Sequence, residues 1–280
     1  MTMDVFLNGR FLPETQAVVP ITDRGFLYGD GLFETLRVSQ GRPLWWDRHL
    51  DRLQRGADFL KLPLPWPAPE LRGFAGKLIQ RNAMTESVLR LTLTRGTGLR
   101  GYSTKGANHP TISMTLHPLP PRLTSVRLAT ATLRLPANDA LASYKTSNKL
   151  LSILARAEAE ERGADEALLL NTDGAVTEAA ASNLFWLENG AVGTPPLGDG
   201  ALAGVTRGVL LELCRARRIH LEEKSLRPEE LHRAEGIFLT NSVAGIVAVA
   251  ELDGHQLRQS PRIAELQAAY AELCEAHGEF

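Results

Sequence analysis

The segment His117-Pro118-Leu119-Pro120-Pro121-Arg122 restricts this chain more than any other. Its prolines fix φ and lack backbone N–H donors, so neither a helix nor a central strand runs through it. The reading that follows is an N-terminal domain over 1–117, a Pro-rich linker over 118–123 and a C-terminal domain over 124–280. With 280 residues there is material for two cores, and one large domain is the alternative.

On the N-terminal side, Asn8-Gly9 between two apolar runs predicts a hairpin. Leu50, Leu53, Ala57 and Leu60 recur at helical spacing over 47–60, and the prolines at 63, 65 and 67 stop that helix. A second helix is expected over 70–82, and the alternation over 87–95 and 111–116 predicts two half-buried strands.

On the C-terminal side, a strand over 125–130 precedes a helix from about Thr146 to Arg162, closed by Gly163. Asp173-Gly174 marks a further hairpin, Gly204-Val205-Thr206 opens a helix to about Arg218, and a terminal helix is expected over 261–277. Strands and helices mix without regular βαβ alternation or an internal repeat, so the class is α+β, or loosely α/β.

Composition narrows the partners. Hydrophobic residues make up 44% and charged residues 22%, with a formal net charge of -1, which leaves no field to collect nucleic acid or an anionic membrane. Cys214 and Cys274 lie in apparently helical stretches without metal-ligand spacing, and read as reduced, buried and structural with no metal site. No basic stretch followed by an apolar run opens the chain and no segment is apolar enough to span a bilayer, so the expected location is the cytoplasm.

Four places can carry chemistry. Lys145, in Ser143-Tyr144-Lys145-Thr146-Ser147-Asn148, stands where loop is expected to turn into helix; an amine partly withdrawn from water there would be a nucleophile. Glu178 lies among small residues after the Asp173-Gly174 turn, where a buried cation would be its natural partner. Gly204-Val205-Thr206 offers free N–H groups, the positive end of a helix dipole and a hydroxyl, a cup for phosphate. Arg52 is a fixed cation able to close on the same anion. Taken singly, each has a plain alternative: a solvated lysine, a surface ion pair, an ordinary helix start and a surface arginine.

Taken in order, the segments DRGFLYGDGLFETLRV, RHLDRL, YKTSNKLLSILAR, DEALLLNTDGAVTEAAASNLFW, LAGVTRGVLLEL and FLTNSVAGIVAV resemble the class IV (fold type IV) pyridoxal-phosphate enzymes. That family includes branched-chain and D-amino acid aminotransferases and aminodeoxychorismate lyases. The resemblance implies an N-terminal α/β sandwich lobe, a C-terminal β-barrel-like lobe with helices, and a homodimer binding pyridoxal 5'-phosphate (PLP). It implies that Lys145 is the Schiff-base lysine and Glu178 the acid at the pyridine nitrogen. Arg52, Val205, Thr206 and Ser242 would hold the phosphate, with Asn241 beside them. Leu150 stands where branched-chain aminotransferases carry a tyrosine, which points away from that subgroup.

The stretch Arg95-Gly96-Thr97-Gly98-Leu99-Arg100-Gly101-Tyr102-Ser103 is similar to a pattern of the lyases. It implies that Arg95, Arg100 and Tyr102 read substrate carboxylates, with Tyr28 and Arg24 bordering the pocket. The reaction expected is conversion of 4-amino-4-deoxychorismate into 4-aminobenzoate and pyruvate, with Lys145 moving the proton. A transaminase of D-amino acids or (R)-amines is the alternative, and a non-catalytic binding protein on the same fold a third.

Overall fold

The structure is a computed structural model describing residues 2–277. The chain divides into two compact units. The first comprises the residues up to Pro120 together with Tyr144–Asn148; the second comprises Pro121–Ser143 and Lys149–Ala276.

In the first unit, β1 (Asp4–Leu7) and β2 (Arg10–Pro13) form the hairpin, with Asn8 at φ 47° and Gly9 at φ 86°, the left-handed pair a tight two-residue turn needs. The short helix α1 (Arg24–Tyr28) leads into β3 (Gly31–Ser39) and β4 (Arg42–Pro43). Then come α2 (Trp46–Leu60), α3 (Ala68–Asn82), β5 (Ser87–Thr94) and β6 (Thr111–His117). The strands make one antiparallel sheet in the order β2-β1-β6-β5-β3-β4. Side chains alternate across it, so Leu32, Leu36, Leu89, Leu91 and Leu93 meet the buried faces of α2 and α3, while Phe33, Thr35, Arg90 and Thr92 project from the other face.

The segment around Lys145 departs from the sequence reading twice. It belongs to the first unit, and it is extended where a helix was expected from Thr146. Phe33 N–H donates to Lys145 O at 3.0 Å, Ser147 N–H donates to Gly31 O at 2.9 Å, and Leu32 bridges Thr146. The edge of β3 thus takes up the backbone groups that a helix would have satisfied internally, and the helix starts only at Leu150.

In the second unit, β7 (Ser125–Leu135) is followed by α4 (Leu150–Glu161), β8 (Glu166–Asn171), β9 (Val176–Ala179), β10 (Asn183–Glu188) and β11 (Ala191–Thr194). Then come α5 (Val205–Ala216), β12 (Leu221–Glu223), α6 (Pro228–Leu231), β13 (Gly236–Asn241), β14 (Gly245–Leu252), β15 (His255–Gln256) and α7 (Pro261–His277). Its mixed sheet runs β12-β11-β10-β13-β14-β7-β8-β9, with β15 beside β14. β9 returns alongside β10, which curls the sheet. One core lies between Leu168, Leu184, Trp186, Ile237 and Val249, and α4 closes a smaller one through Ala155 and Ala159.

Cys214 is buried, and loss of solvent pushes its thiol up to about 11, as an inert core sulfur requires; Cys274 is only half-buried. Among the described residues no helix is long and apolar enough to cross a membrane.

Candidate active site

The candidate residues divide between the two units, and each group is built within its own unit. In the first, the antiparallel pairing sets Lys145 opposite Phe33, on the face of the sheet away from its core. Lys145 Nζ lies 4.6 Å from the centre of the Phe33 ring. A second cation shares that ring: the Arg90 guanidinium carbon is 4.0 Å from its centre. Arg90 makes no hydrogen bond or ion pair among the described residues, and partial burial holds its pKa below the ordinary arginine value. The sequence reading did not select it. Its signal was a lone basic residue amid the alternation of β5, which reads equally well as solvated.

On the opposite face of β3 lies a wholly buried cluster. Glu34 Oε1 and Oε2 accept from Arg52 Nε at 2.8 Å and Nη2 at 2.6 Å, a bidentate pair, and His49 Nδ1 is 2.6 Å from Oε2. Burial alone would raise the Glu34 pKa, but the Arg52 charge and the bonds from Arg52 and His49 bring it down to about 2. Desolvation outweighs the Glu34 contact for His49 and lowers its pKa, so at neutral pH the ring is uncharged and Nδ1–H is the donor. Arg52 is therefore aimed by a carboxylate that the sequence reading missed, because a glutamate in Gly31-Leu32-Phe33-Glu34 carries no mark of its partners.

The loop after β5 holds the remaining first-unit candidates. Arg100 and Tyr102 are exposed, and Tyr102 packs edge-on against Tyr28 with ring centres 5.6 Å apart. The Tyr28 hydroxyl accepts from Gly101 N–H at 3.1 Å. Arg24 is buried; its Nη1 and Nη2 donate to the carbonyls of Gly101, Tyr102 and Ser103, and its Nε to Asp30. It fastens the loop and is not itself a border residue.

Arg95 is likewise a correction. Its Nε donates to Asp30 at 2.8 Å, and its Nη1 and Nη2 donate to Lys61 O and Leu60 O at the end of α2. A guanidinium that is 6% exposed and engaged at all three nitrogens caps a helix C-terminus; it does not read a substrate carboxylate.

In the second unit, Glu178 on β9 accepts at Oε2 from Leu202 N–H at 2.9 Å and from Asn183 Nδ2 at 3.2 Å. Val205 and Thr206 open α5, whose N-cap Gly204 supplies no side chain, so the first-turn N–H groups have no partner within the helix. Thr206 is 2% exposed, and its hydroxyl has no hydrogen-bond partner among the described residues; the same holds for Thr240 on β13. Ser242 follows β13, half-buried. Asn241 is tied up internally: its Oδ1 accepts from Val243 and Ala244 N–H and its Nδ2 donates to Ser182 Oγ, so its side chain shapes the turn that carries Ser242 and is no cofactor ligand.

This donor set fits an anion bearing several acceptor oxygens. A buried hydroxyl without a partner at a helix N-terminus is where a phosphate oxygen belongs, and a carboxylate held by two N–H groups is suited to meet a protonated ring nitrogen. The sequence profile described as "Amino-transferase class IV" matches residues 31–252.

The chain belongs to the class IV aminotransferase family.

It is accordingly an enzyme of a PLP-dependent family, with the two-domain α+β architecture of its solved relatives. It is 35% identical over 90% of its length to a Methanocaldococcus jannaschii protein, 88% of which is covered, whose name assigns it provisionally to the branched-chain amino-acid aminotransferases. It is 29% identical to the D-alanine aminotransferase of Bacillus licheniformis, over 91% of this chain and 90% of that one. The crystal structure of 4-amino-4-deoxychorismate lyase from Pseudomonas aeruginosa superposes with a TM-score of 0.85 at 34% identity, over 96% of this chain and 98% of that one.

Proposed function

We propose that this class IV enzyme is an aminodeoxychorismate lyase, converting 4-amino-4-deoxychorismate into 4-aminobenzoate and pyruvate. The observation that carries the reading is the pair of cations on the Phe33 ring. Lys145 supplies the amine that holds PLP, and Arg90, which meets the same ring from β5 and has no acidic partner among the described residues, is available to a substrate carboxylate. Arg100 and Tyr102, on the loop that Arg24 fastens, supply the second recognition element for a dicarboxylate. The 34% identity to the Pseudomonas aeruginosa lyase is in keeping with the same choice.

Each residue then has a task. Lys145 takes the proton from the carbon bearing the substrate amine and delivers it to the methylene of the departing enolpyruvyl group, whose ring C–O bond breaks so that it leaves as pyruvate while the ring becomes aromatic. Glu178 holds a proton on the pyridine nitrogen, and Val205, Thr206, Ser242 and Arg52 bind the phosphate. When bound, PLP supplies the electron-accepting ring that makes that proton removable. We assign a homodimer, supported by the apolar side chains of Phe26 and Leu99 in the first unit and Leu150 and Ile153 in the second, all exposed in the single chain.

The test gives purified holoenzyme 4-amino-4-deoxychorismate in one assay and D-alanine with a keto acid in another. Release of 4-aminobenzoate with equimolar pyruvate supports the lyase. Amino-group exchange alone would replace it with a D-amino acid transaminase.

A further inference from the structure

Asn183 opens β10, opposite Thr240 of β13, and is 6% exposed. Its Nδ2 reaches two acceptors, Glu178 Oε2 at 3.2 Å and Leu202 O at 2.8 Å. The amide orientation is forced: turned over, Oδ1 would face a carboxylate and a carbonyl with no proton between them. Leu202 N–H donates to the same Glu178 oxygen, so Glu178, Asn183 and Leu202 close a ring of three hydrogen bonds. On the other side of the amide, a Cβ built on Gly204 would stand 2.0 Å from Asn183 Oδ1. Gly204 has φ -64° and ψ 140°, which any residue adopts, so the amide is what demands a glycine there.

We propose that Asn183 is a positioning residue that locks the Glu178 carboxylate to the Leu202–Gly204 turn, so that one side chain sets the spacing between the acid and the start of α5. The inference rests on the assignment of Glu178 to the ring nitrogen and of the α5 N-terminus to the phosphate of PLP. The cofactor's ring nitrogen and phosphate are separated by a nearly fixed distance. A protein that binds both must hold its two contacts at matching separation before the cofactor arrives, and slack between them lowers affinity. Asn183 removes that slack without touching the cofactor, and nothing in Ala181-Ser182-Asn183-Leu184-Phe185 alone distinguishes it from an ordinary strand-entry asparagine.

The experiment resolves each purified holoenzyme variant, titrates it back with PLP, and records the visible absorbance band and its pH dependence. Asn183→Ala should weaken PLP binding about tenfold, the scale of one lost hydrogen bond to a charged group, and should move the band. Asn183→Asp should weaken it further, because a second carboxylate then faces Glu178 Oε2 and Leu202 O. Gly204→Ala should reproduce Asn183→Ala by displacing the amide while deleting no donor, and it carries the test if Asn183→Ala does not fold. In the double variant the truncated side chain leaves room for the new methyl, so Asn183→Ala/Gly204→Ala should bind PLP no more weakly than Asn183→Ala alone. Wild-type affinity and band in both Asn183→Asp and Gly204→Ala overturn the proposal, as do losses that multiply in the double variant. Glu178→Gln separates the two layers: if it leaves the band unchanged, the assignment of Glu178 fails and the proposal falls with it. If it moves the band while the Asn183 variants do not, only the coupling fails.

Discussion

The Glu34 cluster of the first unit and the entrance to α5 in the second are both buried and polar, and they are finished to different degrees. Glu34, His49 and Arg52 satisfy one another at 2.6–2.8 Å. The hydroxyls of Thr206 on α5 and Thr240 on β13 are buried with no partner among the described residues. Buried polar atoms are almost always hydrogen-bonded, so Glu34 and His49 have the pattern of a scaffold that aims Arg52, while Thr206 and Thr240 have that of a place reserved for a ligand.

The comparison can be broken first at the scaffold. Glu34→Ala leaves the Arg52 charge buried without its carboxylate and should destabilise the fold by about 3–5 kcal/mol, read from the urea unfolding midpoint. An unchanged midpoint would mean the cluster is not structural. Acid should find the same weakness. Glu34 is held at about 2 against an ordinary 4.5, so between those values the unfolded chain binds a proton that the folded chain refuses. That contribution, about 3 kcal/mol, is complete above pH 4.5 and drains away as pH falls towards 2. The depressed His49 pKa adds a loss of the same sign, beginning as pH drops through 6.5. Unfolding curves at several acid pH values should therefore be steeper functions of pH for wild type than for Glu34→Gln.

A smaller contrast lies between two nearby arginines. Arg95→Ala should cost roughly 1–3 kcal/mol by uncapping α2 and releasing Asp30, whereas Arg90→Ala should leave stability within about 0.5 kcal/mol. Arg90→Ala should instead lower kcat/KM for a dicarboxylate substrate by about 10–100-fold while sparing a simple amine. Reversal of this pattern would exchange the roles given to the two residues. The smallest effect is expected at the cup. Thr206→Val should leave apo-protein stability within about 0.5 kcal/mol, because its hydroxyl has no protein partner among the described residues, and weaken PLP by about tenfold or less. Destabilised apo-protein with unchanged PLP affinity would show that Thr206 belongs with the scaffold.

What could be read from residues alone follows the same division. Asn8-Gly9, the spacing of Leu50, Leu53 and Ala57, and the break at Pro63–Pro67 carry local signals, and the structure has the expected hairpin and helix there. The helix expected from Thr146 begins instead at Leu150, since pairing with Gly31 and Phe33 is a contact across more than a hundred residues that no local pattern encodes. Arg95 looked like a substrate residue because its glycine-rich neighbours suited close approach. Arg90 looked ordinary, and only hydrogen-bond partners, which depend on the folded loop and the end of α2, tell them apart. Lys145, Glu178 and Thr206 were legible as types in suitable surroundings, but the carboxylate that aims Arg52 lies on another element and the amide that holds Glu178 opens the next strand, and neither carries a local mark of its partner.

The most direct test of the account reduces the holoenzyme with borohydride, digests it, and locates the pyridoxyl group by mass spectrometry. The account predicts the label on Lys145, the amine over the Phe33 ring. Label on Lys149 or another lysine, or a protein that takes up no PLP, would contradict it.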